Sequence, residues 1–158
     1  MIRIDKEVFK KALLAGFFSA FTIGVLTVLT YKTAFGLFLA GTFGSSMVLL
    51  FGFPESPFAQ PRNVFFGHFV TTLVGVLFVN LIPLPLYINI AIAVGTGIFF
   101  MILLDVVHPP AGGNPVMVII GSVSYDYLFF PIITGCFIII LLAIIINKFI
   151  LKKNYPLK

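Results

Sequence analysis

DVVHPPAGGNPVMVIIGSVSY, residues 105–125, interrupts a chain of almost unbroken aliphatic and aromatic residues. Its first half gathers an acid, a histidine, three prolines and two glycines. Its second half, residues 116–125, is apolar but short. Prolines and glycines stop a helix and leave backbone groups unpaired, which is costly where water is absent. Whether this short piece crosses a bilayer decides the topology, and the rest of the chain supplies the arguments.

The chain has 158 residues, of which 60% are hydrophobic and only 9% charged, and its mean hydropathy is +1.17. A soluble domain carries about 25% charged residues. The composition therefore predicts a polytopic membrane protein whose solvent is the lipid bilayer. No Ser-rich, Pro-rich or charged linker divides it, so residues 1–158 read as a single domain. Five further stretches, residues 8–31, 34–53, 63–81, 86–104 and 129–146, approach or reach the roughly 18 to 20 residues that span hydrocarbon as a helix. The first follows a basic start, but it is too long for a signal-peptide core and lacks a clear cleavage site, so it is expected to be a crossing.

Charge decides the status of residues 116–125. If they do not cross, the basic residues divide evenly: Arg3, Lys6, Lys10, Lys11 and Arg62 against Lys32, Lys148, Lys152, Lys153 and Lys158. If they do cross, both tails and Arg62 share one side and only Lys32 lies opposite. The positive-inside rule prefers the second arrangement. The expectation is an all-α membrane protein with about six crossings, a short fifth, and both termini cytoplasmic in the cell (inner) membrane. Because the basic residues sit at segment ends, the net charge of +5 marks topology and gives no nucleic-acid footprint. Cys136, the single cysteine, excludes an intramolecular disulfide and a multi-thiolate metal site.

Sliding the sequence on itself by 54 places sets Gly41-Thr42 on Gly95-Thr96, Met47 on Met101, Gln60-Pro61 on Asn114-Pro115, Val64 on Val118 and Gly67 on Gly121. A shift of two crossings preserves direction, so these matches suggest a parallel internal repeat of two-helix units. The loops GFPESPFAQPRN and DVVHPPAGGNP would then share a membrane face.

Each loop ends in a side-chain amide followed by proline, the signature of a helix start. The free N–H groups and positive dipole end of such a start attract anions. Gln60, Arg62, Asn63, His68, His108 and Asn114 are accordingly the candidate substrate-binding residues. Ser56, Pro57, Pro61, Asp105, Pro109, Pro110, Gly112, Gly113 and Pro115 are expected to shape the loops. Plainer readings stand beside these. Arg62 can be an interface anchor, His68 a structural hydrogen-bonding group, and His108 a partner of Asp105. Ser45, Ser46 and the Gly41/Gly44 spacing read first as close helix packing and second as a channel lining. No Walker loop, nucleophile elbow or zinc-protease motif occurs, so no enzymatic activity, cofactor or metal is expected.

At GFPESPFAQPRNVFFGH and HPPAGG the chain resembles the HPP family of integral membrane proteins, over roughly residues 34–121. The matching positions are Ser56, Pro57, Gln60, Pro61, Arg62, Asn63, His68, His108, Pro109 and Pro110. The family is usually described as four-spanning, and some plant plastid and cyanobacterial members are associated with nitrite transport. The resemblance implies a channel or carrier for a small anion, with nitrite the first substrate. A membrane scaffold or assembly subunit is the alternative. A polar cavity reaching Arg62 and His108 would favour transport, and a filled interior the scaffold. Glycine-bearing faces around Gly16, Gly24 and Gly75 suit close packing and suggest a homo-oligomer.

Overall fold

The computed structural model describes residues 5–34 and 36–157. Arg3 and Lys158 of the charge count fall outside the described residues. All regular structure described is helical. Helix α1 (Lys6–Lys32) has 27 residues, about 40 Å at 1.5 Å per residue. The Asp5 carboxylate caps it by accepting from the Glu7 N–H at 3.3 Å. Glu7 in its first turn and Lys32 in its last match the helix dipole. Helices α3 (Pro61–Leu81), α4 (Leu86–Leu103) and α6 (Leu128–Ile150, kinked near its start at Phe130, whose φ and ψ of -126° and 111° are not helical) are likewise long and apolar enough to cross a membrane. Two helices are too short to do so alone: α2 (Phe43–Gly52) and α5 (Asn114–Ile120).

Side-chain contacts sort the helix ends onto two faces. Lys11 near the start of α1 lies 4.4 Å from the Phe53 ring centroid. After α6, the Tyr155 hydroxyl donates to Ala59 O at 2.9 Å and Leu157 N–H donates to Gln60 Oε1 at 2.8 Å. The start of α1, the end of α2, the start of α3 and the chain after α6 therefore share one face, called here the tail face. At the far face Asn89 Nδ2 on α4 donates to Ile82 O at 3.2 Å and Asn80 Nδ2 on α3 to Val123 O at 3.4 Å. Four long helices and two broken crossings thus alternate in direction. They make six passes, with both ends of the described chain on the tail face.

The short fifth pass descends from the tail face through a 3₁₀ turn (Pro109–Gly113) and continues as α5 to the far face. The second pass, expected as one helix over residues 34–53, is broken in the mirrored sense. It enters from the far face as non-helical chain over residues 36–40 and becomes α2 only at Phe43. The chain has already left α1 at Thr33, which is extended; Gly36, with a φ of 125° closed to most L residues, lets it turn back, and Phe38 N–H donates to Thr30 Oγ1 at 3.0 Å.

The 54-place repeat keeps its directions, since α3 and α5 both run from the tail side towards the far side. Its shapes do not correspond: Pro61 opens a helix of 21 residues at the face, and Pro115 lies in one of seven that starts inside. Similar shapes recur three passes apart, with direction reversed: long, broken, long in α1–α2–α3 and again in α4–α5–α6. Glycine notches follow the same relation. A Cβ on Gly75 of α3 would lie 2.9 Å from Pro115 Cα of the fifth pass, and one on Gly135 of α6 would lie 2.5 Å from Phe38 O of the second. Each broken pass leans on a long helix where a side chain is missing. The largest apolar core gathers Leu26, Phe43, Leu50, Phe51, Val64, Ile132 and Ile139 from α1, α2, α3 and α6.

Candidate functional site

The two broken passes meet inside the molecule. Thr42, just before α2, donates from Oγ1 to Asn114 Oδ1 at 2.6 Å, so the short helices begin beside each other from opposite directions. Around this junction lie Ser46, His68, Thr71, His108 and Asn114, all buried. His68 sits two turns into α3, and His108 ends the extended chain that leads into the proline turn. Ser46 joins the two rings: its Oγ is 2.9 Å from His68 Nε2 and 2.9 Å from His108 Nε2. The other nitrogen of His108 bonds Phe58 O at 2.7 Å. That of His68 lies 3.0 Å from Asn114 Nδ2, which also donates to His68 O at 3.1 Å and Thr71 Oγ1 at 3.1 Å. His108 N–H points at Met101 Sδ, 3.4 Å away. The ring of Phe43 meets the His68 ring edge-on at 5.1 Å.

Polar groups in this position are costly unless paired, and here every ring nitrogen is paired. The two rings come this close because α3 carries a glycine beneath the loop. A Cβ on Gly67 would lie 2.8 Å from His108 Cβ and 3.0 Å from Val106 O.

The other candidate residues lie at the tail face. Arg62 donates from Nη1 to Asp105 O at 2.8 Å and from Nη2 to Leu104 O at 3.1 Å. Its contact with the Asp105 carboxylate is 3.4 Å, with the two side chains 57% and 93% exposed, so the ion pair is weak and the carbonyl bonds dominate. Asn63 Nδ2 donates to Val107 O at 3.0 Å. Gln60 donates to Pro54 O at 3.0 Å and Ser56 O at 2.8 Å. Ser56 caps the turn of Pro57 by accepting from Phe58 N–H at 3.2 Å. Gln60, Arg62 and Asn63 therefore bind main chain around the loop mouth, and Asp105 pairs with Arg62 rather than with His108. The helix start that faces Asn114 belongs to Thr42, not to Gln60.

An open pocket of about 700 Å³ also lies at the tail face, lined in part by Glu7, Lys10, Lys11, Glu55, Ser56 and Lys153. Neither Arg62 nor His108 is in its lining. Burial and the nearby Lys11 charge lower the Lys153 pKa, while Glu55 opposes the shift. Burial raises the Tyr155 pKa. Among the described residues no group of three or more His, Cys, Asp or Glu side chains could hold a metal ion.

Of the central residues, His68, His108 and Asn114 are recognisable in sequence as polar groups at unusual depth. Thr42, Ser46 and Thr71 are not. Thr71 Oγ1 donates to Gly67 O at 2.8 Å, the ordinary habit of a hydroxyl in an apolar helix. The Gly41-Thr42 repeat match marks the neighbourhood of Thr42, and Ser46 carries a channel lining only as its second reading, after helix packing.

The transmembrane region described for the HPP family matches residues 5–156, nearly the whole chain. This chain belongs to the HPP family. Two proteins of Dictyostelium discoideum, each named only as a transmembrane protein, are similar to the HPP chain. One is 35% identical over 143 residues, covering 84% of this chain and 50% of the relative. The other is 33% identical over 165 residues, covering 98% of this chain and 52% of the relative. The HPP chain thus spans about half the length of these curated relatives. No solved structure matches it. It is an integral membrane protein in contact with the bilayer.

Proposed function

We propose that this HPP chain moves a small inorganic anion across the membrane, with nitrite the first substrate to test. The observation that carries the reading is the meeting of two oppositely directed broken passes at one buried polar cluster. Discontinuous helices that converge from inverted halves are the architecture of secondary transporters, and intramembrane polar groups commonly mark the path of a solute. On this reading Thr42, Ser46, His68, His108 and Asn114 contact the solute, while Gln60, Arg62 and Asn63 hold the loops that open to admit it. The tail face is cytoplasmic in the inner membrane, because every described basic residue except Lys32 lies near it. Copies of the chain pack through the exposed side of α1, where Gly16 and Gly24 meet nothing within 4 Å.

Two observations favour the scaffold reading: every ring nitrogen in the cluster has a protein partner, as in a purely structural network, and the open pocket at the tail face reaches neither Arg62 nor His108. Uptake into proteoliposomes, compared across nitrite, nitrate, formate and chloride, separates the two. Nitrite entry above that of protein-free vesicles, reduced about tenfold or more in a folded Asn114→Ala protein, is expected, since one lost charge-assisted or neutral contact to the solute corresponds to about 1.4 kcal/mol or more. No uptake of any of the four anions by folded protein would leave the scaffold reading in place.

A further inference from the structure

Two main-chain carbonyls fix where the protons of the central cluster reside. Phe58 O can only accept, so His108 Nδ1, 2.7 Å away, carries a hydrogen. Neutral His108 then presents a lone pair at Nε2, and the Ser46 hydroxyl at 2.9 Å donates to it. His68 O also can only accept, which identifies the Asn114 group 3.1 Å away as the NH₂. The same NH₂ faces His68 Nδ1 at 3.0 Å, so that nitrogen holds a lone pair. His68 therefore carries its hydrogen on Nε2 and donates to Ser46 Oγ at 2.9 Å. The two imidazoles are locked in opposite tautomers, with one hydroxyl between them.

Ser46 has a second acceptor. Thr42 O lies 3.3 Å from its Oγ and already receives the Ser45 hydroxyl at 2.8 Å, so it is the poorer choice while His108 is neutral. If a proton arrives at His108 Nε2, the Ser46 O–H can rotate to Thr42 O, and its oxygen then accepts from both Nε2–H groups. One N–H bond forms, one hydroxyl turns, and no heavy atom needs to move. A second proton has no place, because at His68 Nδ1 it would face the Asn114 NH₂, donor against donor.

We propose that His68, Ser46 and His108 form a seat for a single proton, which crosses together with the anion. The coupling half of this inference rests on the transport reading; the seat itself does not. Charge argues for the coupling. The cluster is faced by Phe43 from α2, Thr71 from α3, Met101 from α4, Asn114 from α5 and the Phe58 carbonyl, none of them charged. Arg62 and Asp105 engage each other at the exposed tail face. A protonated imidazole without a counter-charge is costly at this depth. An anion beside it supplies the missing charge, and the pair moves as a neutral unit.

The chain contains only two histidines, so ¹⁵N-histidine labelling of the full chain in lipid nanodiscs, with an affinity tag free of histidine, reports on the seat alone. The expected spectrum at neutral pH shows one imidazole protonated at Nδ1 and the other at Nε2. On acidification one ring takes a proton and the other stays neutral while the protein remains folded. Identical tautomers, or both rings charging together, would overturn the seat. Coupling is read in proteoliposomes holding a pH-sensitive dye, with an inward nitrite gradient and protein-free vesicles to subtract passive nitrous acid. Acidification that matches nitrite entry one for one is expected. Nitrite entry driven by membrane potential without acidification would overturn coupling and leave transport standing. Absence of nitrite entry would remove the transport reading and the coupling with it, and the labelled spectrum would still decide the seat.

Discussion

Ser46 holds more of the interior together than its size suggests. Ser46→Ala removes the one hydroxyl that accepts from His68 Nε2–H and donates to His108 Nε2, and an unsatisfied buried group costs about 1–3 kcal/mol. Thermal melting in a mild detergent should show a loss of that order. Gly67→Ala should cost a similar amount for a different reason. Its methyl would fall 2.8 Å from His108 Cβ and 3.0 Å from backbone at Val106, and overpacking of this kind costs about 1–3 kcal/mol. A stable, unshifted Gly67→Ala protein would contradict the close approach of α3 to the loop. Sequence exposes the histidines because an ionisable side chain is conspicuous in an apolar run. It hides Ser46 because hydroxyls serve helix packing equally well, and only the fold brings the three passes together.

The ends of α4 and α5 show how these elements are terminated with a residue other than glycine in the left-handed position. After α4, Asp105 takes φ 54°, and Val106 N–H closes onto Met101 O at 2.9 Å, a left-handed helix stop. Ser122 does the same after α5, with φ 48° and Val123 N–H reaching Val118 O at 3.2 Å. Because a non-glycine residue in this conformation is strained by about 1–2 kcal/mol, Ser122→Gly should raise stability by up to about 1 kcal/mol once its extra chain entropy is subtracted. Unchanged or lowered melting would argue against the assigned backbone. Arg62→Gln should loosen the other stop by removing the fork onto Leu104 O and Asp105 O, and Arg62→Lys should recover only part, since an ammonium lacks the planar fork. At this scale the fifth pass was legible because its prolines announce the break. The second pass was not, since Gly36 sits in a largely apolar stretch that holds several other glycines, and a glycine alone does not reveal a positive φ.

Counting the whole molecule, four long helices and two broken passes accommodate both the usual four-spanning description of the family and the six crossings that charge demands. In a Cys136→Ala background, Glu7→Cys and Lys153→Cys should label from one side of the membrane and Ser124→Cys from the other. Labelling of Lys153→Cys and Ser124→Cys from the same side would sink the six-pass topology. The pass count was readable because it depends on where lysines fall. The reversed relation between halves was not, because the corresponding shapes share no motif and the motifs that do repeat link passes of unlike length. That reversal has a consequence for how the chain is made. Thr42 finds Asn114 only 72 residues later, about 4 to 14 s of translation at 5–20 residues per second. Until then the half-finished second pass has exposed backbone groups and no partner with which to enter lipid. It should wait at the membrane surface or inside the insertion machinery, and a nascent chain arrested just after α4 should leave a cysteine at Ser46 open to an aqueous thiol reagent that the completed protein excludes.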